Sequence, residues 1–286
     1  MNLKEPNFLV IGASKCGTST LRHLLNQHPD VFVSMGNEPY FFSNDEYYNR
    51  GWDWYTAQFE MVSNEKAVGE GCGRYAMCQK YPETVERAAR HLPSAKIIYI
   101  VRHPMQRIVS DFLQKREQGD PLPPNFLKAV RAYRRELVDC SNYLQQINAY
   151  REKYDDDEIL VLFAEDLHTD PAGVLRRTFQ FLGVDPAFVP PGLGEQKNTS
   201  QGKKIERPLM STLRHIPYYY KVRDMLPEGL RRGFKKKYLT SEMTSKPTYD
   251  AQTYDWVCSI LEQDSKTFLR RYGKPEDFWQ FKSPAA

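Results

Sequence analysis

The chain has 286 residues, of which 41% are hydrophobic and 27% are charged, so it can bury a sizeable core. Its formal net charge of +4 is too small to indicate a nucleic-acid partner, but it suits an anionic ligand. No apolar run approaches the roughly 18 residues of a membrane span. The five cysteines have no CxxC spacing, so we expect reduced thiols in a cytoplasmic protein rather than disulfides or a zinc site.

The first predicted element is a buried strand at residues 8–11, followed by a loop between Gly12 and Gly17 and then by leucines at helical spacing. Strand, glycine loop and helix start together suit a phosphate, because backbone N–H groups of the first helical turn point at the anion. The nucleotide-triphosphate motif has lysine directly after its second glycine. Here Thr18 has that place and Lys15 lies earlier. From this stretch alone, a tight turn with one exposed lysine remains an alternative.

Hydrophobic periodicity predicts the remaining elements in chain order: strands at 31–33, 67–71, 96–101 and 159–163, and helices at about 81–92, 105–117, 125–138, 142–154, 171–182 and 250–272. Strands that alternate with helices indicate a parallel sheet covered on both faces. We therefore predict an α/β fold, a single P-loop-like three-layer domain over residues 1–286 whose central parallel sheet is flanked by helices. Residues from about 205 onward are expected to form a mostly helical C-terminal extension packed on it.

The extension begins with a basic, aromatic stretch at residues 209–238. A solvated helical face explains this composition most simply. A patch for a membrane surface or an acidic partner is the alternative. The stretch can also act as a lid or an interface, and the sequence does not decide between these roles or give the oligomeric state.

Two predicted strands lead into cationic residues, Lys15 and Arg102. Ligands of open α/β sheets bind beyond the carboxyl ends of the strands, so the two charges meet in one crevice if the strands are neighbours. Arg102 can bind a phosphate bidentately, and Ser110 on the next helix can donate a further hydrogen bond. A nucleotide with phosphates at two positions would occupy both sites. A later loop offers further candidate donors: Ser200, Gly202 and Lys203.

Residues 36–55 are unusually aromatic, and Glu38 is the best-placed ionisable group among them. The composition fits either a satellite hydrophobic cluster or the wall of a substrate pocket. For the pocket, the candidate acceptor-binding residues are Glu38, Tyr40, Phe41, Trp54 and, after the strand at 67–71, Arg74.

These motifs, in this order, resemble those of sulfotransferases that use 3′-phosphoadenosine 5′-phosphosulfate (PAPS). Residues 12–21 resemble the 5′-phosphosulfate loop of that family, and residues 101–110 resemble its 3′-phosphate motif. Residues 37–42 are similar to the segment that carries the catalytic glutamate in the heparan-sulfate-type branch. Further similarity at 165–167, 181–183 and 273–279 extends the likeness over nearly the whole chain.

The resemblance implies transfer of a sulfuryl group from PAPS to a hydroxyl or amine of a small-molecule or saccharide acceptor, with PAP as product and no metal. It assigns Lys15 to the bridging oxygen of the leaving nucleotide, Glu38 to the acceptor's proton, and Arg102 with Ser110 to the 3′-phosphate. The loop residues implied in 5′-phosphate binding are Ser14, Lys15, Cys16, Gly17, Thr18, Ser19 and Thr20.

One segment departs from the family pattern. The family often has Ser/Thr-Pro after the second core strand, where this chain has residues 71–73, Gly-Cys-Gly. A lysine that assists catalysis in some glycan-modifying members has no clear counterpart there, which leaves the role of Arg74 open and favours a small metabolite as acceptor. The alternatives are a P-loop nucleotide kinase, which needs lysine at position 18, and a non-catalytic nucleotide-binding module, which has no use for Glu38.

Overall fold

The computed structural model describes residues 5–34, 38–193, 204–206, 240–242 and 246–282. Its centre is a five-stranded sheet in the order β2-β3-β1-β4-β5, in which every neighbouring pair is parallel. The strands are β1 (Phe8–Gly12), β2 (Val31–Val33), β3 (Ala67–Gly71), β4 (Lys96–Val101) and β5 (Ile159–Phe163). The sheet therefore places β1 between β3 and β4.

Helices cover the sheet, and the predicted α/β class is confirmed. The described helices are, in chain order, α1 (Thr18–Leu25), α2 (Asp45–Tyr48), α3 (Trp52–Thr56), α4 (Glu83–His91), α5 (Pro104–Gln118), α6 (Phe126–Ala132), α7 (Arg134–Leu137), α8 (Tyr143–Arg151), α9 (Ala164–Thr169), α10 (Pro171–Leu182) and α11 (Ala251–Arg271). Short 3-10 turns lie at Phe41–Ser43, Ala57–Phe59, Asp139–Ser141 and Asp156–Glu158. A separate antiparallel pair joins β6 (Lys204–Glu206) to β7 (Thr240–Glu242).

Both faces of the sheet are buried, which explains why β1 and β4 read as continuous apolar runs. Successive side chains of a strand point to opposite faces. Leu9 belongs to a hydrophobic cluster on one face that includes Phe268 of α11. Val10 belongs to the cluster on the other face, with Leu21 of α1 and Phe179 of α10.

A buried arginine holds α5 in place after β4. Arg107 is 0% exposed; its Nε donates to the Ser141 hydroxyl at 2.6 Å, and its Nη1 lies 3.5 Å from the Asp111 carboxylate. Burial lowers the pKa of Arg107, but the raising effects of Asp111, Tyr143 and two buried thiols together outweigh it, and the pKa is raised. The contacts that tie α5 to its surroundings are those of Arg107 to the Ser141 hydroxyl and to the carbonyl of Leu137, and Asp111 balances the buried charge.

Most predicted helix bounds differ from the structure by one to three residues, and one predicted helix is divided in two. The predicted helix at 125–138 is two short helices, α6 and α7, because Tyr133 has a non-helical backbone conformation (φ −114, ψ 42). The prediction for the C-terminal extension falls largely outside the described residues; β6, β7 and α11 are its described parts. None of the described helices is long and apolar enough to cross a bilayer.

Candidate active site

The loop between β1 and α1 leaves the first turn of a helix open to a ligand. Lys15 and Gly17 both have left-handed backbone conformations, with φ of 72 and 94. Such a conformation is strained for a non-glycine residue, and strain of this kind concentrates at functional sites. No side chain caps α1, so the N–H groups of Thr18, Ser19 and Thr20 have no partner within their own helix. Ser19 and Thr20 are exposed, and the helix dipole there favours an anion.

The loop rests on both neighbouring strands. The backbone N–H of Ala13 donates to the carbonyl of Ile100 at 2.6 Å, which ties the loop to β4. On the side of β3, a Cβ added to Gly73 would lie 3.1 Å from Cα of Ser14. Glycine at position 73 thus lets the turn after β3 approach the loop closely, in the segment that departs from the family pattern.

Arg102 follows β4 directly and lies beside this loop. Its Nη1 donates to the carbonyl of Lys15 at 3.4 Å, and its Nη2 donates to Oε1 of Gln106 at 2.8 Å. Because β1 and β4 are neighbours, the cationic residues that follow them meet at one edge of the sheet. Ser110 lies half-buried on α5. The arrangement puts Arg102 and the loop before α1 side by side.

The segment that carries Arg102 is braced from the C-terminal region. Oε1 of Glu165 accepts from the backbone N–H of His103 at 2.8 Å and from the indole of Trp279 at 3.1 Å. Lys274 pairs with Asp166 at 2.7 Å. The sequence marked residues 165–167 and 273–279 only by resemblance; in the structure they support the Arg102 segment.

Glu38 lies half-buried where two clefts meet. A polar cleft of about 280 Å³ is also lined by Ser14, Tyr40 and Arg74. An aromatic groove of about 730 Å³ leads away on the other side, past Trp54. Glu38 therefore shares a cleft with the loop and faces a second space large enough for an acceptor.

Stacked rings form the wall beside Glu38. The Arg74 guanidinium lies 4.0 Å from the centre of the Tyr40 ring. Tyr40 stacks on Tyr47, and Tyr47 stacks on Trp54 with centroids 5.6 Å apart and an interplanar angle of 4°. Phe41 is different and corrects the prediction: it is 1% exposed and packs inside the aromatic core, so it forms no part of the groove surface.

A buried carboxyl lies on β3, and no motif singled it out. Glu70 on β3 is 0% exposed; its Oε1 accepts from the hydroxyls of Tyr55 at 3.0 Å and Tyr75 at 2.7 Å. Burial raises its pKa to about 7, against the lowering effect of the two tyrosines and Arg22. The sequence feature that could have indicated this residue is a glutamate inside an otherwise apolar strand.

Cys16 turns away from the loop surface, so only its backbone can take the predicted part in phosphate binding. The side chain is 1% exposed, and its thiol lies 3.7 Å from the Tyr143 hydroxyl, which donates to the carbonyl of Arg102 at 2.8 Å. Burial raises the pKa of the thiol to about 11, so it stays protonated at neutral pH.

Neither His103 nor His28 lines the two clefts beside Glu38. His103 caps α5, with Nδ1 accepting from the N–H of Met105 at 3.3 Å. His28 is 2% exposed and lies between the rings of Phe179 and Phe188. Ser200, Gly202 and Lys203 lie outside the described residues. Within the described ranges, no group of His, Cys, Asp and Glu is arranged to hold a metal ion.

The model of the sulfotransferase domain family matches residues 5–247. The chain belongs to this family. The family that the resemblance indicated is thereby confirmed.

Curated relatives of this sulfotransferase chain carry names from heparan sulfate modification. Mouse heparan sulfate glucosamine 3-O-sulfotransferase 6 is 31% identical over 188 residues, covering 63% of this chain and 52% of the relative. Human bifunctional heparan sulfate N-deacetylase/N-sulfotransferase 2 is 28% identical over 199 residues, covering 63% of this chain and 22% of the relative. The match thus spans at most about half the length of these relatives.

Among solved structures, a sulfotransferase from Alicyclobacillus acidocaldarius superposes with a TM-score of 0.68 at 23% identity. The superposition covers 97% of this chain and 99% of that one. This likeness shows the fold, and it agrees with the predicted P-loop-like α/β class.

Proposed function

We propose that this chain transfers the sulfuryl group of PAPS to a hydroxyl or amine of an acceptor, acting over its whole length as one catalytic unit. The observation that carries the proposal is that one loop contacts both groups: Ser14 of the loop lines the same polar cleft as Glu38, and the carbonyl of Lys15, the next residue, accepts from the Arg102 guanidinium. Two adjacent anion sites and a base suit a nucleotide with two phosphate positions better than they suit a plain nucleotide-binding module.

The residues present fit the donor. The open first turn of α1 and the loop backbone would hold the 5′-phosphate. Arg102, with Ser110, would hold the 3′-phosphate through charge-assisted hydrogen bonds. Lys15 would offset the negative charge that gathers on the oxygen between phosphorus and sulfur.

When bound, PAPS supplies the sulfuryl group: its sulfur–oxygen bond to the phosphate breaks as sulfur bonds to the acceptor oxygen or nitrogen. Glu38 takes the acceptor's proton, and PAP leaves. The work of the chain is alignment and charge stabilisation, as in phosphoryl transfer. We propose a small metabolite as acceptor, reaching Glu38 along the aromatic groove.

Calorimetry tests the donor site. We expect PAP to bind in the absence of magnesium and ATP to bind far more weakly, because ATP lacks a 3′-phosphate for Arg102. Tight, magnesium-dependent binding of ATP would instead indicate a nucleotide kinase.

The base is tested by Glu38→Gln, which keeps the shape of the side chain and removes its charge. We expect turnover with radiolabelled PAPS and a panel of alcohols, phenols, amines and saccharides to fall by about 10²–10⁴. Affinity for PAP should stay within twofold of wild type. Normal turnover in the variant would remove Glu38 from this role.

A further inference from the structure

The peptide group between Arg102 and His103 is held at both ends by side chains from other elements. Its carbonyl accepts from the Tyr143 hydroxyl at 2.8 Å, and its N–H donates to Oε1 of Glu165 at 2.8 Å. Tyr143 is 0% exposed, and a buried polar group that loses its partner is costly, so this contact resists change. The backbone that carries the Arg102 side chain is thereby fixed from two sides.

Tyr143 also reaches the loop before α1. Its hydroxyl lies 3.7 Å from Sγ of Cys16, the residue that directly precedes Gly17 at the start of α1. One buried hydroxyl therefore contacts both segments to which the proposed function assigns the two phosphates of the donor: Arg102 for the 3′-phosphate, and the loop for the 5′-phosphate.

The tyrosine is itself held in place by the C-terminal helix. Tyr143 is the first residue of α8, and the carboxylate of Asp264 on α11 accepts from the backbone N–H groups of the next two residues at 3.1 and 3.3 Å. A carboxylate at this place satisfies the open first turn of a helix. The Tyr143 ring packs against Phe268 and Trp279, with centroids 5.8 and 5.7 Å away. The hydroxyl thus has a set position in the core.

We propose that Tyr143 is a positioning residue of the donor site: its hydroxyl fixes the spacing between the loop before α1 and Arg102, and thereby favours nucleotides with phosphates at both the 5′ and the 3′ position. This rests on the proposed function of those two segments. A nucleotide gains from both sites at once only if their separation matches that of its phosphates, and ordering the sites during binding would cost affinity. Tyr143 is buried and contacts no nucleotide in this role.

Calorimetry without magnesium tests the proposal in Tyr143→Phe, which keeps the ring and removes the hydroxyl. PAP is titrated directly, and adenosine 5′-monophosphate and adenosine 3′-monophosphate are measured by competition with PAP. We expect PAP to bind about three- to tenfold more weakly, the contribution of one buried hydrogen bond. Each monophosphate should change by less than twofold, because it uses one site only. Unchanged PAP affinity would overturn the proposal, and so would equal losses for PAP and adenosine 3′-monophosphate, which would mean that Tyr143 only holds Arg102.

Tyr150→Phe is a matched control on the same helix. Tyr150 is also 0% exposed, and its hydroxyl donates to the carbonyl of Tyr75 at 2.9 Å. The substitution removes an equivalent buried hydrogen bond from α8, yet the preference for PAP over the two monophosphates should stay at its wild-type value. An equal loss of preference in Tyr150→Phe would overturn the proposal, because any loosening of α8 would then suffice.

Cys16→Ala keeps the proposal testable even if Tyr143→Phe fails to fold. It removes the contact at the loop and leaves the bond from Tyr143 to Arg102, so the preference for PAP should fall by about two- to threefold; an unchanged preference would count against the spacing role. In the double variant, PAP affinity should equal that of Tyr143→Phe alone, and additive losses would contradict the shared contact. If wild type binds no PAP without magnesium, the proposed function fails and the inference with it. If PAP binds but Tyr143→Phe keeps the wild-type preference, only the role of Tyr143 fails.

Discussion

Replacing Glu70 by Gln should change how the stability of the protein depends on pH. The pKa of Glu70 is raised from 4.5 to about 7, chiefly by burial. A carboxyl whose pKa is higher in the folded than in the unfolded state binds its proton more tightly in the fold. Its contribution to stability is therefore full below pH 4.5 and is lost as the pH rises through 7.

The size of the effect follows from the rise in pKa. At about 1.4 kcal/mol for each pK unit, the rise from 4.5 to about 7 corresponds to about 3 kcal/mol of unfolding free energy. Solvent does not reduce this free energy by screening, because the Glu70 side chain is 0% exposed. Gln keeps an oxygen for the two tyrosine hydroxyls but cannot ionise, so its stability should not carry this pH dependence.

The assay is urea unfolding of both proteins, followed by fluorescence at several values between pH 4.5 and 8.5. We expect the difference in unfolding free energy to shift in favour of Glu70→Gln by about 3 kcal/mol over this range. Taking the difference cancels other titrating groups, including Asp264, whose pKa is also raised, to about 6. A difference that stays constant with pH would refute the reasoning, because it would mean that Glu70 titrates alike in both states.

Three further predictions concern the nucleotide site and the aromatic wall. Arg102→Ala should weaken PAP binding by about 10–100-fold in calorimetry, which is what a charge-assisted hydrogen bond contributes. Binding of adenosine 5′-phosphosulfate, which has no 3′-phosphate, should hardly change. Equal losses of affinity for the two ligands would contradict the place of Arg102 at the 3′-phosphate. Glu165→Gln should weaken PAP binding severalfold with the same ligand preference, because it loosens the segment behind Arg102; unchanged affinity would argue against the brace. Phe41→Ala should cost about 3–5 kcal/mol of stability. Trp54→Ala, at a half-buried ring of the groove, should cost clearly less stability and raise the KM for an acceptor; a larger loss of stability in Trp54→Ala than in Phe41→Ala would contradict this assignment.

Local structure was largely predictable from the sequence. The bounds of β3, β4, β5 and α10 match the prediction. Continuous apolar runs specify the buried strands β4 and β5, and Gly183 ends α10 in a left-handed conformation. The break at Tyr133 was not foreseen, because the periodicity of residues 125–138 continues across it.

Composition alone could not tell which aromatic residues are buried and which line the groove. Phe41 and Trp54 belong to one aromatic stretch, yet Phe41 is 1% exposed and Trp54 lines the groove. Burial depends on which side chains the neighbouring helices bring against each ring. The environment of Glu70 was equally hidden in the composition, because the hydroxyls of Tyr55 and Tyr75 that donate to its carboxyl come from other segments of the chain.

The sequence by itself predicted a phosphate-binding loop after the first strand and indicated the family, because strand, glycine loop and helix start are consecutive residues. Only the tertiary structure decided what converges there. The order β3-β1-β4 brings the residues after three separate strands to one edge of the sheet. Glu38 opens onto the cleft that Ser14 lines, and Glu70 lies buried on β3. Convergence of distant residues depends on strand order and burial, which no local pattern encodes.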